Sequence, residues 1–448
     1  MRALLGPISS LLLLLGACGE RSFEPAWTRD HRPPPPNVLV LSVDTLRADH
    51  LGFYGYGKPT SPHLDHFAAS AVVFERALAS ASWTLPALAS AFTGTFSSTH
   101  QCWSFGSRLS ESFTTLPEAL TAAGYDSACF VSHLFCTSRH GLQQGFVHGD
   151  DAFAHPAVEP DVAVTSERIA DEGVRFLQRK AAAPDGTPWL LWLHFFDPHA
   201  NYVEHPGISG RFVTPGPREN VEIDRDLYDG EIAFTDEHVG RALEALERTG
   251  ASERTVVVFL ADHGEEFQDH GGTGHGHTLY EELLRVPLVI RAPGIAPARV
   301  GALVRTVDLL PTVFDLVGLA PDAVPECEGA SLRPHLERES ARELPALFEI
   351  RQNPAYTLEG IAEGRWKLVR PLVRGGASAL YDLEEDPRES RDVSEQEPEV
   401  ALRLIQLLRG MRESAEERAR GLDLAPGGNL TPAVLEQLRG LGYVGGDR

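Results

Sequence analysis

The chain has 448 residues, enough for one large domain or two modest ones, and its ordinary apolar content permits a sizeable core. Its 63 acidic against 40 basic residues give a formal charge of -23. That balance argues against nucleic acid as a partner and against a polybasic membrane patch, while leaving room for a local basic pocket.

Arg2 supplies a short positive region, and Leu4 to Leu15 form an apolar run too short to span a bilayer comfortably. Leu15-Gly16-Ala17-Cys18 follows, and small residues before a cysteine at this place resemble the lipobox of bacterial lipoproteins. The expectation is a signal peptide over 1–17, lipid on Cys18, and a body tethered to the periplasmic side of the outer membrane or the cell surface. Residues 18–36 end in Pro33-Pro34-Pro35-Pro36, an extended spacer. Cys102, Cys129, Cys136 and Cys327 remain; export permits disulfides, Cys102 with either Cys129 or Cys136 among them, but none of the four has zinc-site spacing.

The first strand is expected over Asn37 to Val43, delivering Asp44 at its carboxyl end. Arg47 reads as the buried partner of an aspartate. Leu64, Phe67, Ala68 and Ala71 follow at helical spacing. In SASWTLPALASAFTG, Pro86 suits a first helical turn and puts Thr84 near a helix N-terminus, where free amides and the dipole favour negative charge. A plain N-cap is the other use of such a threonine. Further elements are expected at Leu116 to Ala123 (helix), Ser127 to Val131 (strand) and Ser166 to Lys180 (helix). Trp189 to Phe196 reads as an apolar strand ending in Asp197-Pro198-His199, and Tyr228 to Thr249 as a long helix closed by Gly250.

Val256 to Leu260 is a buried parallel strand that discharges Asp262, His263, Glu265, Glu266, Asp269, His270, His275 and His277. Ligands in open α/β sheets bind at such strand ends. Glu265 and Glu266 read as supports of a metal shell, and His270 as a solvated side chain. VPLVI is a short strand and Val307 to Gly318 a helix. The alternation argues for an α/β fold, a mostly parallel sheet with helices on both faces, over residues 37–336. Three short strands then suggest a small antiparallel sheet which, with a charged helix over Pro398 to Arg418, forms a subdomain over 337–418. A tail over 419–448 carries a last helix, Thr431 to Leu441.

Asp44, Thr84 and Asp262 with His263 come from distant segments yet fall at strand ends or a helix start, the donor types a divalent metal needs. NVLVLSVDTLRADHLGFYGYGKPTSPHLDHFA, HFFDPHANY, VVVFLADHGEEFQDHG, LYEELLRVPLVIRAPG and ALYDLEEDPRESRDV, in this order, resemble the sulfatase family of the alkaline phosphatase superfamily over Asn37 to about Val393. The resemblance implies an alkaline-phosphatase-like fold and an enzyme that cleaves a sulfate or phosphate ester. Asp44, Thr84, Asp262 and His263 would hold one divalent metal, with zinc or manganese favoured and calcium open. A second metal site is open to Asp197 and His275, and His199 and His277 would contact substrate or leaving group.

The departures are specific. The family's C/S-x-P-x-R reads Thr84-Leu85-Pro86-Ala87-Leu88, so no formylglycine is expected. The usual aspartate pair is Asp44-Thr45, and the family's lysine is missing at Val131-Ser132-His133. A threonine in this position resembles the superfamily's phosphodiesterase and phosphoglycerol or phosphoethanolamine transferase branches. The leading expectation is an extracytoplasmic hydrolase with a metal-activated Thr84 nucleophile, favouring a phosphoester or phosphodiester. Its partners would be a sulfated or phosphorylated small molecule, glycan or lipid head group. A head-group transferase and a non-catalytic binder of an anionic glycan or lipid are the alternatives.

Overall fold

The structure, a computed structural model, describes residues 34–151, 164–183, 186–320, 323–352, 357–373, 376–424 and 430–440. The signal segment, Cys18, most of the tether and the end of the tail lie outside them.

The core is an eight-stranded sheet. In chain order its strands are β1 (Asn37–Val43), β2 (Val72–Leu78), β3 (Asp126–Val131), β4 (His148–Asp150), β5 (Trp189–Phe195), β6 (Thr255–Ala261), a hairpin pair β7 (Glu266–Phe267) and β8 (Thr273–Gly274) outside the sheet, then β9 (Arg285–Arg291) and β10 (Ala298–Arg305). Across the sheet the order is β10-β2-β9-β6-β1-β5-β3-β4. Every neighbouring pair is parallel except those of β9, which runs against both β2 and β6. β1, β5 and β6 are buried along their whole length. They consist almost wholly of Val, Leu, Phe and Trp, as a strand covered on both faces requires.

Helices flank this sheet: α1 (Pro62–Ala68), α2 (Thr84–Thr93), α3 (Leu116–Ala122), α4 (Ser166–Ala182), α5 (Asn220–Arg248) and α6 (Leu309–Val317). A second, antiparallel sheet, β11 (Ala346–Ile350), β12 (Leu358–Glu363), β13 (Trp366–Pro371) and β14 (Ala379–Asp382), packs with helix α7 (Pro398–Ala419). Its small core joins Leu347, Ile361, Leu368 and Leu380 to Leu404 and Leu408. The expected architecture is therefore present.

Some boundaries differ for physical reasons. α5 starts at Asn220, ahead of the expected Tyr228, because Glu219 and Glu222 form a reciprocal capping box that sustains a polar first stretch without apolar periodicity. β2 and β10 were not anticipated: charges interrupt VVFERAL, and the first half of β10 alternates between half-buried and exposed residues. The four cysteines are free thiols, Cys102, Cys129 and Cys136 buried and Cys327 half-buried, so the pairing of Cys102 is not made.

Candidate active site

Register builds the site. In the parallel pairing of β1 with β6, Val43 lies opposite Ala261, so the next residues, Asp44 and Asp262, emerge side by side at the carboxyl edge. Between β1 and β5, Ser42 lies opposite His194, and the Asp44 amide closes onto the Phe195 carbonyl at 2.9 Å. His263 follows Asp262. Gly264 is required after it: a Cβ there would sit 1.9 Å from the Glu282 carbonyl oxygen, while its amide donates to the Leu283 carbonyl.

Thr84 is the first residue of α2; Trp83 holds the cap position, so Thr84 is not a plain N-cap. All ten residues of α2 are buried, which its small and apolar sequence permits, and Gly94 ends it in the left-handed region at φ 66°. Trp83 is wedged edge-on against Phe105 and Phe135. The Thr84 hydroxyl thereby lies 3.3 Å from His263 Nε2.

Asp44, Asp262 and His263 are fully buried, and one ligand atom of each lies within 4.8 Å of the others. His263 Nδ1 is 2.9 Å from the Gly264 carbonyl, an acceptor, so in the neutral ring Nδ1 carries the proton and Nε2 presents a lone pair. That lone pair faces Asp44 Oδ1 at 3.6 Å and Asp262 Oδ2 at 3.5 Å, two oxygens with no hydrogen-bond donor among the described residues. Three acceptors converging in a buried place, two of them carboxylate oxygens, suit a divalent cation. Burial and then the Asp262 carboxylate push Asp44 well above the ordinary carboxylate range.

Four imidazoles surround this cluster. His275 is 4.5 Å from His263 and 4.9 Å from His199, ring centre to ring centre; His133 is 5.5 Å from His199 and 6.4 Å from His194. Burial holds His199 down to about 3 and His194 to about 4, and it holds His133 and His275 well below the usual range, with neighbouring imidazoles adding to the effect at His199, His133 and His275. Glu265, fully buried, accepts from Tyr202 Oη at 3.0 Å and pairs with His275 Nδ1 at 3.0 Å. One step outward, His277 pairs with Glu266 at 2.8 Å; burial opposes its charged form, but that bond raises its pKa.

The structure thus brings Asp44, Thr84, Asp262, His263, His199 and His275 together and leaves His277 at the rim. Asp197 is a correction. Both its oxygens are taken by the start of α4, from the Thr165 and Ser166 amides at 2.6 Å and the Ser166 hydroxyl, so it is a helix cap and does not join the cluster. His270 is not merely solvated: it bonds Glu282 at 2.7 Å and stacks on Tyr280. Arg47 binds Asp49 and Asp269, as its sequence reading expects. Sequence reasoning misses His133 and His194 as site residues. His133 follows the end of β3, the same placement that singles out Asp44, and His194 is the one polar residue in an otherwise apolar β5.

A buried carboxylate-imidazole cluster at the carboxyl edge of such a sheet, with a hydroxyl at a helix start, is a candidate metal-assisted catalytic centre, and the fold around it is alkaline-phosphatase-like. The comparisons narrow the class. The family profile described as Sulfatase matches residues 36–319, and that described as N-sulphoglucosamine sulphohydrolase, C-terminal, matches 274–415. The chain belongs to the sulfatase family and is an ester hydrolase of that family. It is similar to a choline-sulfatase of Rhizobium meliloti, 26% identical over 80% of this chain and 82% of the relative. It is also similar to a Δ4,5-hexuronate-2-O-sulfatase of Bacteroides thetaiotaomicron, 25% identical over 80% and 84%. The crystal structure of a phosphonate monoester hydrolase of Agrobacterium radiobacter shares the fold, with a TM-score of 0.72 at 24% identity over 85% of this chain and 96% of that one.

Proposed function

We propose that the chain hydrolyses a phosphate or sulfate ester with Thr84 as nucleophile and a divalent cation held by Asp44, Asp262, His263 and Thr84. The observation that carries this is the convergence in one buried place of the His263 Nε2 lone pair, the Thr84 hydroxyl 3.3 Å from it, and two carboxylate oxygens with no donor among the described residues. A mixed oxygen and nitrogen shell suits zinc or manganese better than calcium. When bound, the cation would make the Thr84 hydroxyl more acidic and withdraw charge from the ester oxygens.

The chain's own residues do the rest. The rigid start of α2 holds Thr84 Oγ1 in place, and the Thr84 and Leu85 amides, ahead of Pro86 and without an intrahelical acceptor, favour the incoming anion. Thr84 displaces the leaving alcohol, and water then releases the esterified threonine. His199, His275 and His133 stand beside the cluster; burial keeps their rings neutral, so they contact and orient the bound group while the proton given up by Thr84 ends on the leaving alcohol, and His277 stands at the rim. Asp197 is left out of any second site. Threonine cannot form the aldehyde hydrate of formylglycine, so release depends on attack by water, which is more readily achieved at phosphorus; a phosphoester or phosphodiester is therefore preferred. The similarity to a choline-sulfatase and a hexuronate-2-O-sulfatase favours the second reading, a sulfate ester of a glycan or small molecule.

Nitrophenyl phosphate, bis-nitrophenyl phosphate and nitrophenyl sulfate assayed side by side decide between them. Turnover of a phosphoester that is lost to a chelator and restored by zinc or manganese is expected; turnover of the sulfate alone would overturn the preference, and activity indifferent to chelation would overturn the metal. The Leu15-Gly16-Ala17-Cys18 segment supports export and lipid anchoring. Labelled palmitate should enter the wild-type protein and not Cys18→Ser.

A further inference from the structure

β5 carries a polar chain that the reaction as described does not use. The Trp192 indole N–H reaches Ser42 Oγ at 2.8 Å; Ser42 Oγ lies 2.8 Å from His194 Nδ1; and His194 Nε2 lies 3.3 Å from Asp44 Oδ2. All four residues are buried. Register explains how they meet. Ser42 lies opposite His194 and Val40 opposite Trp192, and side chains two apart on a strand share a face, so Ser42, Asp44, Trp192 and His194 form a patch on one side of the sheet.

The chain has a direction. An indole nitrogen only donates, so Ser42 Oγ accepts from Trp192 and its own proton goes to His194 Nδ1. Nδ1 is then the acceptor, and the ring's proton sits on Nε2, aimed at Asp44 Oδ2. The opposite tautomer would leave the Ser42 proton unused and set a lone pair against a carboxylate.

The anchor is as informative as the end. The Trp192 indole packs edge-on against Phe92 at 4.6 Å between ring centres and stacks with Phe146 at 5.9 Å. Phe92 lies on α2, the helix that begins with Thr84. The same indole therefore touches the nucleophile's helix and heads the chain that ends on Asp44. With Oδ2 engaged by His194, Oδ1 is the oxygen left turned to His263 and without a donor.

We propose that His194 is a positioning residue: through the Trp192–Ser42–His194 chain it fixes the rotamer of Asp44, so that Oδ1 alone faces the cation and stays in register with Thr84. Here the second aspartate of the family's usual pair is Thr45, so the site depends on the aim of one carboxylate at this position. This inference rests on the metal-site reading above.

The test is titration of metal-free wild type, His194→Leu and His194→Gln with zinc or manganese alone by calorimetry, with kcat and KM measured on each. Outer hydrogen-bond partners of metal ligands are typically worth about 10–100-fold in affinity. Expected are weakening in that range for His194→Leu with kcat falling and KM nearly constant, and recovery of most of the affinity in His194→Gln, whose amide N–H can reach the Nε2 position. If wild type binds metal and His194→Leu binds it equally well, this inference fails and the metal site stands. If wild type binds no metal, both fail. A measurement on unmutated protein covers the case in which His194→Leu does not fold. Histidine-labelled nitrogen spectra should show His194 with a bare Nδ1 and protonated Nε2; the reverse tautomer overturns the proposal.

Discussion

At the residue scale, the site is a matter of which oxygens and nitrogens are already taken. His263 Nδ1 is taken by the Gly264 carbonyl, Asp44 Oδ2 by His194, and both Asp197 oxygens by the start of α4. What is left over, Asp44 Oδ1 and Asp262 Oδ2, faces His263 Nε2, which the Thr84 hydroxyl reaches at 3.3 Å. Replacing Asp197 by alanine should therefore lower the melting temperature and leave metal stoichiometry unchanged. Removing a buried helix cap costs about 1–2 kcal/mol. Metal analysis of the purified variant checks this, and a lost equivalent of metal would return Asp197 to the shell. Asp44, Asp262, His263 and Thr84 were legible because strand ends are where an α/β sheet exposes chemistry. Asp197 sits at an equally good strand end, yet it is spent on a helix whose start, Thr165-Ser166, is distant in sequence and cannot be paired with it by pattern.

At the element scale, three strands and one helix fix the cluster, and Gly264 decides whether β6 can deliver it. A methyl group at this position meets the Glu282 carbonyl at 1.9 Å, and backbone cannot move aside as a flexible side chain can. Gly264→Ala should cost about 1–3 kcal/mol, the range for overpacking, and shift His263, so that metal affinity falls along with stability; unfolding in urea with parallel metal titration measures both. If the variant keeps full stability and affinity, the close approach does not constrain the loop. The elements themselves were readable to different degrees. β1, β5 and β6 announce themselves as unbroken apolar runs. β2 and β10 do not, because a strand near the sheet's edge tolerates charges such as Glu75, Arg76 and Arg299 that erase the pattern. The reversal of β9, which makes the sheet mixed, has no local signature at all.

At the scale of the whole molecule, the histidines also set acid stability. His100, away from the metal cluster, accepts from the Cys102 amide through Nδ1 and reaches Ser90 through Nε2; burial holds it at about 3. His140, bonded to the Ser107 carbonyl, is held by burial at about 4. Both are neutral in the fold and take a proton near 6.5 once unfolded. At these two sites the unfolded chain therefore binds more protons between about pH 6.5 and 3, and their contribution to stability falls as pH drops through that window. Each group contributes up to about 2 kcal/mol of loss between pH 6.5 and 5, at about 1.4 kcal/mol per unit. Measured from pH 7 to 5, the urea midpoint of His100→Asn, which keeps an acceptor for the Cys102 amide without a titrating ring, should gain on that of the wild type as the pH falls. An unchanged slope would assign the acid sensitivity elsewhere.

The fold, the family and the nearness of Asp44, Thr84, Asp262 and His263 were readable from motifs in order along the chain. The approach of His133 and His194 to this cluster was not, because it depends on strand order β6-β1-β5-β3, which sequence order conceals. The central claim is that Thr84 is the nucleophile of a metal-dependent ester hydrolase. Its most direct test is kcat/KM of Thr84→Ala on the best nitrophenyl ester, with metal content measured on the same sample. The account predicts a loss of at least about a thousandfold, in keeping with removal of a covalent nucleophile, in protein that still holds a divalent ion through Asp44, Asp262 and His263. Full turnover by Thr84→Ala would contradict it.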